Sequence, residues 1–145
     1  MTIRVLVVDD SAFARKVVRE ALSEHDDIEV VGTARDGLDA LEKIAELSPD
    51  VVTLDLMMPN LDGIGVLTAL PRPGPRVVVV SISDKDSGPG AEALQLGAVD
   101  IVHKPTALAT EQLRELSTEL VDKVRLAALA RPLALAPPAP PVRAR

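Results

Sequence analysis

Apolar positions along the chain fall into two alternating kinds of segment. Residues Ile3–Val8, Ile28–Ala34, Val51–Leu56, Val77–Ile82 and Asp100–His103 are short and rich in β-branched side chains, and they predict strands. Three of the five are almost wholly apolar, which suits strands covered on both faces of a parallel sheet. Between them apolar residues recur at helical spacing. Phe13, Val17, Val18, Ala21 and Leu22 mark one stripe; Leu38, Leu41, Ile44 and Ala45 mark a second, opened by Asp36 as N-cap. Leu113, Leu116, Leu120, Val124 and Ala127 mark the last and longest, an amphipathic helix expected to pack on its own sheet rather than on a membrane. The helices after Asp62-Gly63 and after Gly90 are expected to be short, and Pro71, Pro73 and Pro75 end the first of them early.

Five strands each followed by a helix make a (βα)5 unit, an α/β fold with a doubly wound parallel five-stranded sheet. The right-handed crossover rule leaves few topologies for it. This unit accounts for residues 1–128. Residues 129–145 are a different material: from Pro132 the chain reads PLALAPPAPPVRAR, without periodicity, as a semi-rigid linker toward a further domain or a disordered end.

Composition narrows the function. Of 145 residues, 47% are hydrophobic, which is enough for one core, and a single Phe with no Trp or Tyr leaves that core to Val, Leu, Ile and Ala. A net charge of −6 argues against a nucleic-acid surface. No cysteine is present, so disulfides and thiolate metal sites are excluded, as suits a cytoplasmic protein. Apolar runs are too short to span a membrane, and the first residues lack a secretory signal.

Ligands of doubly wound sheets bind at the carboxyl ends of the strands. The first strand ends in Asp9-Asp10, the third in Asp55, the fourth in Ser81 and the fifth in Lys104-Pro105. Three carboxylates, a hydroxyl and an ammonium therefore converge on one edge. Two like charges ~4 Å apart repel by roughly 4 kcal/mol at an effective dielectric near 20, so something must offset them. Lys104 can neutralise one charge, and a hard divalent cation such as Mg²⁺ suits the all-oxygen remainder. A carboxylate nucleophile, a metal, a lysine and a hydroxyl together suit receipt of a phosphoryl group. Taken singly, Asp9 and Asp10, like Ser11, can equally cap the following helix, Ser81 can be an ordinary strand-end hydroxyl, and Lys104 a solvated turn residue. His25 and His103 read as loop and strand-end residues without a site role, and Met57 and Met58 as loop and core residues.

Four segments, VLVVDDSAFARKVV, DLMMPNLDG, VVVVSIS and GAVDIVHKP, resemble in order the receiver domains of two-component response regulators, over roughly residues 3 to 125. The resemblance implies a flavodoxin-like sheet in strand order 2-1-3-4-5. It implies Asp55 as phosphoacceptor, fed by a histidine kinase, and Mg²⁺ held by Asp10, Asp55 and the backbone carbonyl of Met57, with Asp9 reaching it through water. It further implies Lys104 and Ser81 as phosphate ligands, Ser81 turning inward as a switch, and a cis peptide before Pro105. VDDSAFARKV and LQLGAVDIVHKP are most similar to the receiver half of chemotaxis-type protein-glutamate methylesterases, in which a C-terminal esterase is the effector. No Gly-x-Ser-x-Gly-like elbow occurs here, so the chain is not expected to hydrolyse methyl esters, and its own chemistry is limited to gaining and losing the phosphoryl group.

Some positions depart from the family. Ile82 stands where a small residue is usual, and is expected to narrow access for a partner histidine. Ile101 replaces the aromatic residue whose rotamer tracks phosphorylation, so a switch must run through something smaller. Gly88-Pro89-Gly90 is expected to fray the start of the fourth helix and make the output face mobile. These features favour a second reading, a stand-alone interaction module without phosphotransfer; the complete acidic site speaks against it. A third, an aspartate-nucleophile phosphatase, needs a second Asp two residues after the nucleophile, and Met57 occupies that place.

Overall fold

The computed structural model describes residues 2–71, 74–81, 88–104 and 110–129, the side chains of the last helix from residue 115 onward. The strands are β1 (Ile3–Val8), β2 (Ile28–Ala34), β3 (Val51–Leu54), β4 (Arg76–Ser81) and β5 (Asp100–His103). They alternate with helices α1 (Ala12–Ser23), α2 (Gly37–Leu47), α3 (Gly63–Ala69), α4 (Gly88–Gln95) and α5 (Thr110–Leu129). All strand pairs are parallel, in the order β2-β1-β3-β4-β5. The alternation predicts the doubly wound parallel sheet, and the resemblance implies its flavodoxin-like order.

The period-2 geometry of the strands divides the core into two layers. Leu6, Val8, Val52, Leu54, Val77, Val79 and Ile101 meet Ala40 and Ile44 of α2, Val66 and Leu67 of α3 and Ala93 of α4. Their sequence neighbours Val5, Val7, Val51, Val78, Val80 and Val102 meet Val18 and Leu22 of α1 and Leu116, Leu120, Val121, Val124 and Ala127 of α5. A fully buried Leu or Val contributes about 1.5–3 kcal/mol, so these two layers carry the fold without aromatic residues.

Local chemistry sets the helix ends. Ser11 caps α1 by accepting from the Ala14 N–H, Asp36 caps α2 by accepting from the Asp39 N–H, and Asp62 caps α3 by accepting from the Gly65 N–H. Ser48, left-handed at φ 47°, closes α2. α3 stops after seven residues, where Leu70 turns extended ahead of Pro71.

Several expectations need correction or adjustment. Phe13 is 56% exposed and does not belong to the buried stripe of α1, where Ala14 takes the inward place. Leu38 and Ala45 likewise face outward, and Gly37, Ala40 and Ile44 form the buried side of α2. β3 ends two residues before Leu56, and β4 begins one residue earlier than expected, at Arg76. Gly88-Pro89-Gly90 form the first turn of α4, a position at which proline lacks no needed donor. Ile82, Pro105 and residues 130–145 lie outside the described residues, and α5 runs one residue past the expected boundary at 128. None of the described helices is long and apolar enough to cross a membrane.

Candidate functional site

The sheet ladder continues one residue beyond several strands and thereby fixes the site. Asp9 N–H donates to the Ala34 carbonyl at 3.1 Å, Asp55 N–H to Val8 at 3.0 Å, and Lys104 N–H to Ser81 at 2.8 Å. Asp9 and Asp55 thus emerge side by side from the adjacent strands β1 and β3. Lys104 emerges from β5, with β4 between it and β3, and only its four-carbon stem lets the ammonium cross that gap.

One carboxylate oxygen from each of Asp9, Asp10 and Asp55 lies within 4.8 Å of the others. Asp9 and Asp55 are 2% and 5% exposed, whereas Asp10 faces solvent. Lys104 Nζ is 2.8 Å from Asp9 Oδ2 and 3.4 Å from Asp55 Oδ2. The other oxygens take backbone donors: Asp9 Oδ1 accepts from the Ser11 N–H at 2.9 Å, and Asp55 Oδ1 from the Met57 N–H at 3.3 Å. Ser81 is fully buried at the end of β4.

Burial pushes the Asp55 carboxyl up, the charge of Asp9 adds to it, and Lys104 with the Met57 N–H offset only part, leaving Asp55 at about 6. Burial pulls the Lys104 ammonium down, but the hydrogen bond and charge of Asp9, then the charge of Asp55, outweigh it, and its pKa is raised. Lys104 offsets only one of the three carboxylate charges and leaves an excess of negative charge. A hard divalent cation with oxygen ligands fits that donor set, and Asp9, Asp10 and Asp55 offer it oxygens.

The structure brings together Asp9, Asp10, Asp55 and Lys104 as the strand ends predict. Met57 is exposed in the loop that follows Asp55. Ile101 is buried in the layer shared with α3 and α4. His25 meets Arg125, whose guanidinium also forks onto Asp27 at 2.9 and 3.0 Å, far from the strand ends that carry the site. A contact at the site that escapes a reading of motifs is that of Arg15, whose Nη1 donates to the Asp9 carbonyl at 2.7 Å. Helical side chains lean toward their N-terminus, so a cation in the first turns of α1 can reach back to the strand end; that geometry was the available signal.

Comparison with known proteins agrees with this geometry. A model of the response regulator receiver domain family matches residues 5–117. A protein-glutamate methylesterase/protein-glutamine glutaminase of Myxococcus xanthus is 66% identical over 140 residues, covering 95% of this chain and 40% of that protein. A protein of the same description from Thermotoga maritima is 46% identical over 127 residues, covering 86% of this chain and 37% of its own length. The chain therefore spans about two-fifths of the curated relatives it matches. The crystal structure of the response regulator domain of Thermotoga maritima CheB superposes with a TM-score of 0.84 at 43% identity, covering 91% of this chain and 100% of that one. The receiver domain of the putative response regulator NarL from Mycobacterium tuberculosis gives 0.75 at 36% identity, covering 90% and 98%. With the fold, the strand-end carboxylates and these likenesses in agreement, the chain belongs to the response regulator receiver domain family.

Proposed function

We propose that Asp55 accepts a phosphoryl group from a histidine kinase, in the manner of receiver domains. The observation that carries the reading is the buried Asp55 carboxylate, grouped with those of Asp9 and Asp10 and flanked by the Lys104 ammonium. Asp10, Asp55 and the Met57 carbonyl would hold Mg²⁺, with Asp9 reaching it through water; the ion, when bound, draws charge from the phosphoryl oxygens. With a pKa of about 6, Asp55 is mostly ionised at neutral pH even without a cation, as a nucleophile must be. Its oxygen forms the bond to phosphorus as the bond from phosphorus to the donor nitrogen breaks, and the electron pair leaves with the donor. Lys104 then holds one phosphate oxygen, which requires it to loosen its hold on Asp9. Ser81 supplies a hydroxyl to another. Any relay through β5 runs through Ile101, which is smaller than an aromatic side chain and packs in the α3–α4 layer.

The likeness to methylesterase receivers supports a chemotaxis-type kinase as donor, and as effector an esterase joined after α5 or a separate partner. Such a chain would work in the cytoplasm, where a kinase charged from ATP meets it. Beryllofluoride, a phosphoryl mimic, provides the test. With Mg²⁺ it is expected to raise the unfolding temperature of the wild-type chain and not that of Asp55→Asn. Equal responses from the two proteins, or none from either, overturn the reading.

A further inference from the structure

The loop from Asp55 to Gly63 is pinned at two places. At its base the Gly63 N–H donates to the Leu56 carbonyl at 3.0 Å, and any side chain at 63 would meet the Asp55 carbonyl oxygen at 2.6 Å. At its apex the loop is tied to the start of α2. Asn60 Nδ2 donates to Asp36 Oδ2 at 2.8 Å, and the Gly37 N–H donates to the Leu61 carbonyl at 2.9 Å.

The apex turn is strained. Leu61 N–H donates to the Pro59 carbonyl at 2.7 Å, closing a three-residue turn with Asn60 at its centre, at φ 69°. Turns of this kind with positive φ are rare, and they persist only where the surroundings enforce them. Asp36 holds the central residue of the turn, and the Gly37 N–H holds the residue after it. Asp36 Oδ1 caps α2 through the Asp39 N–H at 2.8 Å, so the carboxylate is already oriented when its Oδ2 receives Asn60. Only residues 57 to 59 lie between the base at Leu56 and the apex at Asn60, too short a span to move independently of both ends.

We propose that Asp36 and Asn60 are positioning residues whose hydrogen bond holds the apex turn and thereby sets the Met57 carbonyl for the metal. The inference rests on the reading of Asp55 and Met57 as ligands. Partners that orient ligands in this way commonly change metal affinity by about 10–100-fold when removed.

The test uses four variants of the full chain, each shown by urea denaturation to be folded, with Mg²⁺ affinity measured by calorimetry. Asn60→Gly keeps the positive φ and deletes only the amide. Asn60→Asp sets two acceptors against each other. Asp36→Asn keeps the cap with its one oxygen but turns an amide donor toward the Asn60 amide. The exchange Asp36→Asn with Asn60→Asp restores a donor facing an acceptor in the reverse direction. The three single variants are expected to bind Mg²⁺ about tenfold more weakly, and the exchange to recover most of the loss, which a role in stability alone would not produce. Wild-type affinity in the folded single variants, or an exchange as weak as they are, overturns the proposal. A wild-type chain with no affinity for Mg²⁺ overturns the underlying functional reading as well, and is distinguished from failure of the Asp36–Asn60 bond alone.

Discussion

Lys104 lies closer to Asp9 than to Asp55, 2.8 Å against 3.4 Å, although both carboxylates are buried beside it. The lysine is thereby held by the residue that is not the proposed nucleophile. Asp55 is left the less compensated of the two, in keeping with its raised pKa. The arrangement keeps Asp55 available to an incoming electrophile while the ammonium waits within reach.

Removing the ammonium should therefore destabilise the cation-free protein. Lys104→Met keeps the stem and leaves buried Asp9 and Asp55 facing each other, a loss of roughly 2–4 kcal/mol. Mg²⁺ should restore much of it, since a cation replaces the lost charge. Urea denaturation with and without Mg²⁺ reads both effects. A variant as stable as wild type in the absence of metal would show that the ion pair does not hold the site together.

The raised pKa of Asp55 predicts a pH dependence with a definite sign. Below about pH 4 the carboxyl is protonated in both folded and unfolded chains, and folding carries no penalty from it. Between pH 4 and about 6 the unfolded chain gives up this proton first, so the native state loses stability as pH rises, and the penalty is complete above the folded value. Asp55→Asn removes it. Without Mg²⁺ the variant should be more stable than wild type at pH 7, by on the order of 1–3 kcal/mol, with the difference shrinking toward pH 4. Urea titrations across that range check this, and an Asn variant that is less stable at pH 7 contradicts it.

Much of this site is legible in the sequence, because a buried parallel strand announces itself as an apolar run and its end as the first charged residue. Asp9, Asp55 and Lys104 stand at such ends. The helix caps at Ser11, Asp36 and Asp62 are equally local. What the pattern does not show is tertiary. It cannot say that Phe13 turns outward while Ala14 packs inward, since both are apolar at neighbouring positions. It cannot place the end of β3, because the Asp55 N–H still pairs with Val8 one residue past the strand. Nor can it find the Asn60–Asp36 bond, which joins residues 24 positions apart on different elements.

Two glycines should respond differently to alanine. A Cβ at Gly37 would meet the Leu61 carbonyl oxygen at 2.2 Å, a backbone atom that can retreat only if α2 and the loop separate. Gly37→Ala is expected to lose roughly 2–4 kcal/mol and to weaken Mg²⁺ binding through the displaced loop. Gly88, at the start of α4, has no atom beyond its chain neighbours within 4 Å of the added carbon. Gly88→Ala should be near neutral, because the entropy that alanine removes from the unfolded chain is offset by the crowding of its Cβ against the Pro89 ring in a helical conformation. Thermal unfolding of both variants gives the answer; a harmless Gly37→Ala would mean that the close approach of α2 to the loop is not a constraint.

Ser81 separates holding the metal from holding the phosphoryl group. It is fully buried at the end of β4, and its neutral hydroxyl brings no charge to offset a divalent cation. Ser81→Ala should therefore leave Mg²⁺ affinity unchanged while removing one hydrogen bond to the phosphoryl oxygens, a loss of about 1–2 kcal/mol. The expected readout is a normal Mg²⁺ titration by calorimetry with a smaller rise in unfolding temperature when beryllofluoride is added. If the beryllofluoride response of Ser81→Ala matches wild type, the hydroxyl is part of the β4 core and takes no part in the switch. If Mg²⁺ affinity falls as well, the hydroxyl supports the carboxylates themselves, and the two functions are not divided between the strands.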